Sequence, residues 1–247
     1  MNTTSGTNTA VSSLAGIEFD RPRLRPVTFN AYSDIHKAIR AELFAVTTSA
    51  GRTDVSDELD VAALTGHVAS VSQLLTEHAE HEDTHVQPVI IAHLPNIAEL
   101  IEYDHGRFES RFAQIHAVAS ELCARPVVAR REMAHEMYVE LALFTSAYLA
   151  HQDLEERMVM PALEDAIGVD AVVGIHMAIV GTMAPDELMR GLATMLPVLN
   201  IDDQTGMLGG IRATAPTDAF EGIWNLTRSV LPATEVLRLA ARLGISA

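Results

Sequence analysis

The chemistry-bearing residues of this chain are concentrated in one short run. Residues 76–90, TEHAEHEDTHVQPVI, hold His78, His81 and His85 among four acids, with Pro88 near the end. A second run matches it without a gap: HAEHEDTHVQP (78–88) aligns with HQDLEERMVMP (151–161). Each has a histidine, an acid four residues on (Glu82, Glu155), a second acid directly after it (Asp83, Glu156), and a proline at the same final offset (Pro88, Pro161). On a helix, positions i and i+4 share a face, so each His–Glu pair can present both side chains to one ion. Neutral imidazole with carboxylate oxygen suits iron, manganese or zinc, and is especially apt for non-haem iron. A single H-x-x-x-E is weak evidence in a chain this rich in histidine, and His105 with Glu109 forms a third copy. The weight lies in the shared second acid and the shared proline.

The elements that must carry these residues read as helices. Strand-like alternation is almost absent, whereas apolar residues recur at helical spacing from Ala31 to Val46, as in Ile35, Ile39, Leu43 and Val46. A polar, turn-forming break over 47–60 precedes a second helix that starts near Ser56 or Asp57 and runs through the first motif. His93 to Asn96 interrupts it. A third helix is expected from Ile97 to Cys123, stopped by Ala124 to Pro126, and a fourth from Val127 to Ala166, stopped at Gly168. Four long helices with short connections predict an all-α, up-down-up-down four-helix bundle. Beyond Gly168 the chain becomes rich in methionine. It predicts three to five short helices, with Pro185 and Pro216 at helix starts and Asn200 as an N-cap. The expected organisation is a flexible N-terminal tail over 1–27, the bundle over 28–167, and a C-terminal helical appendage over 168–247 packed on the bundle.

Height along an antiparallel bundle tests whether the motifs meet. The midpoint between His36 and the His78/Glu82 pair falls at about residue 57–59, inside the first break. For Glu82 and His105 it falls at about 93–94, and for His105 and the His151/Glu155 pair at about 128–130, each beside a predicted turn. The six residues His36, His78, Glu82, His105, His151 and Glu155 are therefore expected at one level, drawn from all four helices, as a metal site in a bundle core.

The remaining histidines sort by angle and distance. With His78 at zero, Glu82 lies at about 40°, His85 at about −20° and His81 at about −60°. His85 is thus expected to face inward, as an additional ligand or a hydrogen-bonding neighbour of the ligands, and His81 to be a bystander. His67, three turns before His78, reads as a core histidine, and His135 as structural. His176 is a candidate cap on the site. Tyr148, one turn before His151, is placed to hydrogen-bond near the metal. Phe108, Phe112, Tyr138, Phe144, Tyr148 and Cys123 are expected in the core. A competing arrangement, E-x-x-H pairs at Glu82/His85 and Glu102/His105 with a lone glutamate from each other helix, leaves His36 and His151 unused.

These motifs resemble the hemerythrin-like, or HHE cation-binding, family. The resemblance rests on a histidine in the first helix (DIHKAIR), H-x-x-x-E-[DE] ending in proline in the second, a histidine in the third (EYDHGRF), and H-x-x-x-E-E ending in proline in the fourth, over roughly 28–165. It implies a non-haem diiron centre with Glu82 and Glu155 as bridges and His36, His78, His105 and His151 as terminal ligands. Respiratory hemerythrins carry two histidines one turn apart in the third helix, whereas here the position before His105 is Ile101. That implies a more open iron, or a substitute ligand such as His85 or His176.

Composition fits a cation binder. The formal net charge of −16 argues against a nucleic-acid partner, since that affinity comes mainly from neutralised phosphates. No apolar run approaches a membrane span, no export signal is apparent, and the single cysteine suits a reducing compartment, so a cytoplasmic location is expected. No nucleotide-binding or serine-hydrolase motif is present. Two functions follow from the resemblance. One is binding or sensing of dioxygen, nitric oxide or peroxide at two iron ions, with manganese as the alternative metal. The other is a diiron oxidase, peroxidase or oxygenase acting on a small organic substrate, in a pocket completed by the C-terminal helices. That appendage otherwise covers an apolar face or forms a homodimer contact.

Overall fold

A computed structural model of the protein describes residues 23–246, and every regular element in that range is a helix. In chain order these are α1 (Ser33–Arg52), α2 (Glu58–His81), α3 (Gln87–His93), α4 (Pro95–Leu122), α5 (Val127–Leu154), α6 (Met160–Ile167), α7 (Val169–Thr182), α8 (Pro185–Met195), α9 (Ile201–Thr214), α10 (Thr217–Val230) and α11 (Ala233–Leu243). Residues 1–22 of the expected tail lie outside the described residues. In its described part, Arg25 donates to the Pro161 carbonyl (2.5 Å) and pairs with Asp165 (2.7 Å).

Local chemistry explains most boundaries. Asp57 caps α2 by accepting from the Leu59 amide, and Asn200 caps α9 by accepting from Asp202 and Asp203. Gly168, at φ +81°, ends α6 in a conformation that L side chains rarely adopt. The break expected from residue 47 starts later, because α1 continues to Arg52. Its turn-forming residues are held helical by burial of Val46 and Ala50, and the Thr48 and Thr53 hydroxyls fold back onto the Phe44 and Ser49 carbonyls.

Two turns are wider than the helices they join. One π turn, Glu82–Val86, links α2 to α3, and another, Glu155–Val159, links α5 to α6. They close with Gln87 N–H on the Glu82 carbonyl and Met160 N–H on the Glu155 carbonyl, five residues back. The cause lies in the repeat. Pro88 and Pro161 lack an N–H, and their rings would strike the carbonyls of Thr84 and Arg157 in a regular turn. Both turns begin on the motif glutamate.

α1 packs against α2 and α5, and α4 packs against the same two helices. Between them lies an apolar core containing Ile39, Leu43, Val68, Phe112 and Leu141, each 3% exposed or less. Full burial of such a side chain contributes about 1.5–3 kcal/mol. A second cluster, with Tyr32, Ile90, Ile101, Val159 and Met160, closes one end, and α7 lies across it through Val172. A third, around Leu192, Leu208, Trp224 and Leu239, belongs to α8–α11. Polar pairs fasten α8 and α9 to α1 and α2: Lys37 with Asp203, His81 with Glu187 (2.6 Å) and Arg190 with Glu77 (2.8 Å). Two residues expected in the core are outside it. Tyr138 is 38% exposed, and Cys123 is exposed because it ends α4 where the chain turns. No single helix among the described residues is long and apolar enough to cross a membrane; α7 and the segment Pro185–Val198 pass that test only jointly, bent by 118°.

Candidate metal centre

The helices bring His36, His78, Glu82, His105, His151 and Glu155 together, all buried. The histidines form two pairs. His36 and His78 have ring centres 5.3 Å apart, and His105 and His151 have theirs 5.1 Å apart. The glutamates stand between the pairs and divide their oxygens. Glu82 turns Oε1 to His78 Nε2 (3.3 Å) and Oε2 to His105 Nε2 (3.2 Å). Glu155 turns Oε2 to His36 Nε2 (3.4 Å) and Oε1 to His151 Nε2 (3.2 Å).

These contacts test the fit of a metal. His36 Nε2, His78 Nε2, both Glu82 oxygens and Glu155 Oε2 are buried without a hydrogen-bond partner. Orphaned polar atoms are costly singly, and here they converge on one small region. Two ligands about 2.1 Å from an ion lie about 3.0 Å apart at a right angle and about 3.4 Å apart at the tetrahedral angle. The observed separations match ligand atoms that share ions. The buried His/Glu group can therefore hold metal: Glu82, His105, His151 and Glu155 offer four mutually close ligand atoms on one side, and His36, His78 and Glu82 offer three on the other.

With Nε2 turned inward, the outer nitrogens of His36, His105 and His151 face carboxylates. His36 Nδ1 donates to Glu156 Oε1 (2.9 Å), and His105 Nδ1 donates to Asp83 Oδ1 (2.7 Å). Asp104 stands 3.5 Å from His151 Nδ1. The second acid of each motif thus serves a histidine on another helix: Asp83, after α2, holds His105 of α4, and Glu156, after α5, holds His36 of α1. Such outer carboxylates fix the tautomer and orient the ring. Sequence reasoning noted the repeated second acid as a pattern without giving it this role, although the repetition was the available signal. Asp104 had no comparable signal.

Burial and charge set the protonation of the protein alone. Burial opposes a charge on His105, but Glu155, Glu82 and Asp83 outweigh it and raise it to about 11. His151 is raised to about 9, as Glu155 and Asp104 overcome the same penalty. At His78 burial prevails over Glu82 and lowers it to about 4. Glu155 is held well below its ordinary value, burial being overcome by His151, His105 and His36. The phenols of Tyr32 and Tyr148 are pushed well up by burial and by the two glutamates. Tyr32 stacks on His36 with ring centres 5.0 Å apart, and Tyr148 packs edge-on to His151 at 5.9 Å.

Other histidines lie elsewhere. His85, expected to face inward, is half-buried and shares a hydrogen bond with Thr182 (3.1 Å). The reason is the π turn: residues in a wider turn advance by less than 100° each, so His85 lags behind its predicted angle. His81, expected as a bystander, pairs with Glu187 between α2 and α8, and His67 pairs with Glu42 at 3.0 Å. His176 packs on Phe29 rather than over the cluster. Ile101 is 2% exposed in the apolar cluster that closes this end. A groove of about 680 Å³ lies at the opposite end, between Thr47, Arg52, Arg131 and Tyr138. Eleven helical residues, roughly 17 Å, separate Thr47 from His36.

No protein-family model, curated protein or solved structure matches this chain.

Proposed function

We propose that the protein is a hemerythrin-like, non-haem diiron protein that binds dioxygen or a related small oxidant, nitric oxide or peroxide. On this reading α1, α2–α3, α4 and α5–α6 form the up-down-up-down bundle over 28–167, and 168–247 is a helical extension packed on it. The observation that carries the proposal is the division of Glu82 and Glu155 oxygens between the His36/His78 pair and the His105/His151 pair. A carboxylate that turns one oxygen to each of two histidine pairs suits two ions better than one. Nitrogen and carboxylate donors together favour iron, with manganese as the alternative.

Iron in these positions would supply open coordination sites for a small oxidant. The chain does the rest. Four Nε2 atoms and two carboxylates hold the ions, while Asp83 and Glu156 fix the rings of His105 and His36. Ile101, with Tyr32 and Ile90, walls the centre with apolar surface and limits water. The groove bounded by Thr47, Arg52, Arg131 and Tyr138 lies about 17 Å along α1 from His36, too far to present a substrate to the centre.

The test is metal analysis and visible absorption of protein purified from iron-supplemented cells. Two irons per chain and a lasting, reversible adduct with dioxygen or nitric oxide support the proposal. Far less than one metal per chain sinks the metal reading. Catalytic consumption of oxygen or peroxide with no lasting adduct sinks the binding reading.

A further inference from the structure

The two sides of the centre differ in what stands behind their histidines. Behind His105, Asp83 uses Oδ1 for the ring alone, and no lysine or arginine pairs with Asp83 among the described residues. Behind His151 stands a second carboxylate, Asp104, with Oδ2 3.5 Å from the ring and its other oxygen, Oδ1, 3.6 Å from the Arg107 guanidinium. On the other side, Glu156 Oε1 accepts from His36 at 2.9 Å and from Arg40 at 2.8 Å. Behind His36 the ring and a guanidinium therefore share one carboxylate oxygen, whereas behind His151 they face different oxygens of Asp104. His78 has Glu82 as its carboxylate neighbour, on the inward nitrogen. A carboxylate behind a metal-bound imidazole makes the inner nitrogen a stronger donor, and a cation on that carboxylate offsets the gain.

We infer that the two ion positions are unequal: the one at His105 and His151 is the tighter, and Asp83, Glu156 and Arg40 are the positioning residues that set the difference. The inference rests on the two-ion reading above. Arg40 is its sharpest element, because it weakens the position it stands behind. Removing it frees Glu156 to act wholly on His36, so loss of a contact should strengthen metal retention. A merely structural ion pair predicts the reverse.

The experiment loads the full-length protein with iron(II) without oxygen, then adds a ferrous chelator in excess and follows release by absorbance. Wild-type protein should release two irons per chain in two phases of equal amplitude. Asp83→Asn keeps an acceptor for His105 but removes the charge; it should speed the slow phase about tenfold or more and leave the fast phase in place. Arg40→Gln should slow the fast phase several-fold, and Glu156→Gln should change it less than Asp83→Asn changes the slow phase. Thermal midpoints of the metal-free variants separate these effects from general destabilisation. Uptake of fewer than two irons defeats the two-ion reading. Uptake of two that leave in one phase, or an Arg40→Gln variant whose fast phase is unchanged or faster, defeats the inference alone.

Discussion

At the scale of single residues, the divided carboxylates set the hierarchy of substitutions. Glu82 and Glu155 each face both histidine pairs, so Glu82→Gln or Glu155→Gln should reduce iron content to below about one per chain, measured by metal analysis. His78→Ala and His151→Ala should each cause a strong loss, whereas His81→Ala, whose ring pairs with Glu187, should leave the content near wild type. The pH dependence of the metal-free protein follows from the same side chains. His78, lowered to about 4, binds protons more readily when unfolded, so stability is lost as pH falls from about 6.5 toward 4. Glu155, held below its ordinary value, adds a loss on the acid side as it takes up a proton. His105 and His151 act in the opposite sense: their contribution is full below about 6.5 and fades as pH rises through about 9 and about 11. Urea titrations of chelator-treated protein from pH 4 to 11 should therefore give a maximum near neutrality. A curve that keeps rising above pH 9 would contradict this assignment.

At the scale of elements, the centre was legible in sequence because its height is fixed by turn positions, and turns carry strong signals. Asp57, Leu94–Pro95 and Pro126 mark three connections, and the midpoints computed from them bring six residues to one level that the structure also brings together. Angular placement was less legible. His85 was assigned to the interior on the assumption of uniform helix, and the π turn at Glu82 rotates it toward Thr182. The proline that causes this was visible, but a proline in a helix can kink, end or widen it, and only packing around Val86 and Ile90 decides. The same limit applies at the end of α4. Arg130 was unremarked in the sequence, yet it is 7% exposed and donates to the Cys123 and Arg125 carbonyls of the turn that follows α4. Arg130→Ala should lower stability by about 2–3 kcal/mol in chemical denaturation. It should leave iron content unchanged, since Arg130 lies 21 residues, roughly 31 Å, from His151 along α5.

At the scale of the whole molecule, the apolar cluster of α8–α11 is joined to α1 and α2 by a seam of polar pairs. α8–α11 enclose Leu192, Leu208, Trp224 and Leu239, and they are tied to α1 and α2 by Lys37–Asp203, His81–Glu187 and Glu77–Arg190. Half-buried pairs of this kind contribute about 1 kcal/mol or less each. The double variant Glu187→Ala, Asp203→Ala should accordingly speed hydrogen exchange of the amides at the start of α8 and α9 by about tenfold, with iron content unchanged. Equal protection in both proteins would show that apolar contacts alone hold the seam. The identity of the pairing residues was beyond sequence reasoning, because charged residues on short helices carry no mark of which neighbour they meet.

The crossed second acids, Asp83 behind His105 and Glu156 behind His36, have a consequence for how the chain is organised. The segment from α1 to α3 supplies one lone histidine and one full motif, and the segment from α4 to α6 supplies the same. Each half lends its spare acid to the other's lone histidine, so neither hairpin finishes its own half of the centre. The molecule is arranged like a dimer written into a single chain. Each change at a motif histidine, a motif glutamate, a lone histidine or a second acid has a matched counterpart in the other half, and Arg40, which has none, is read against that symmetry.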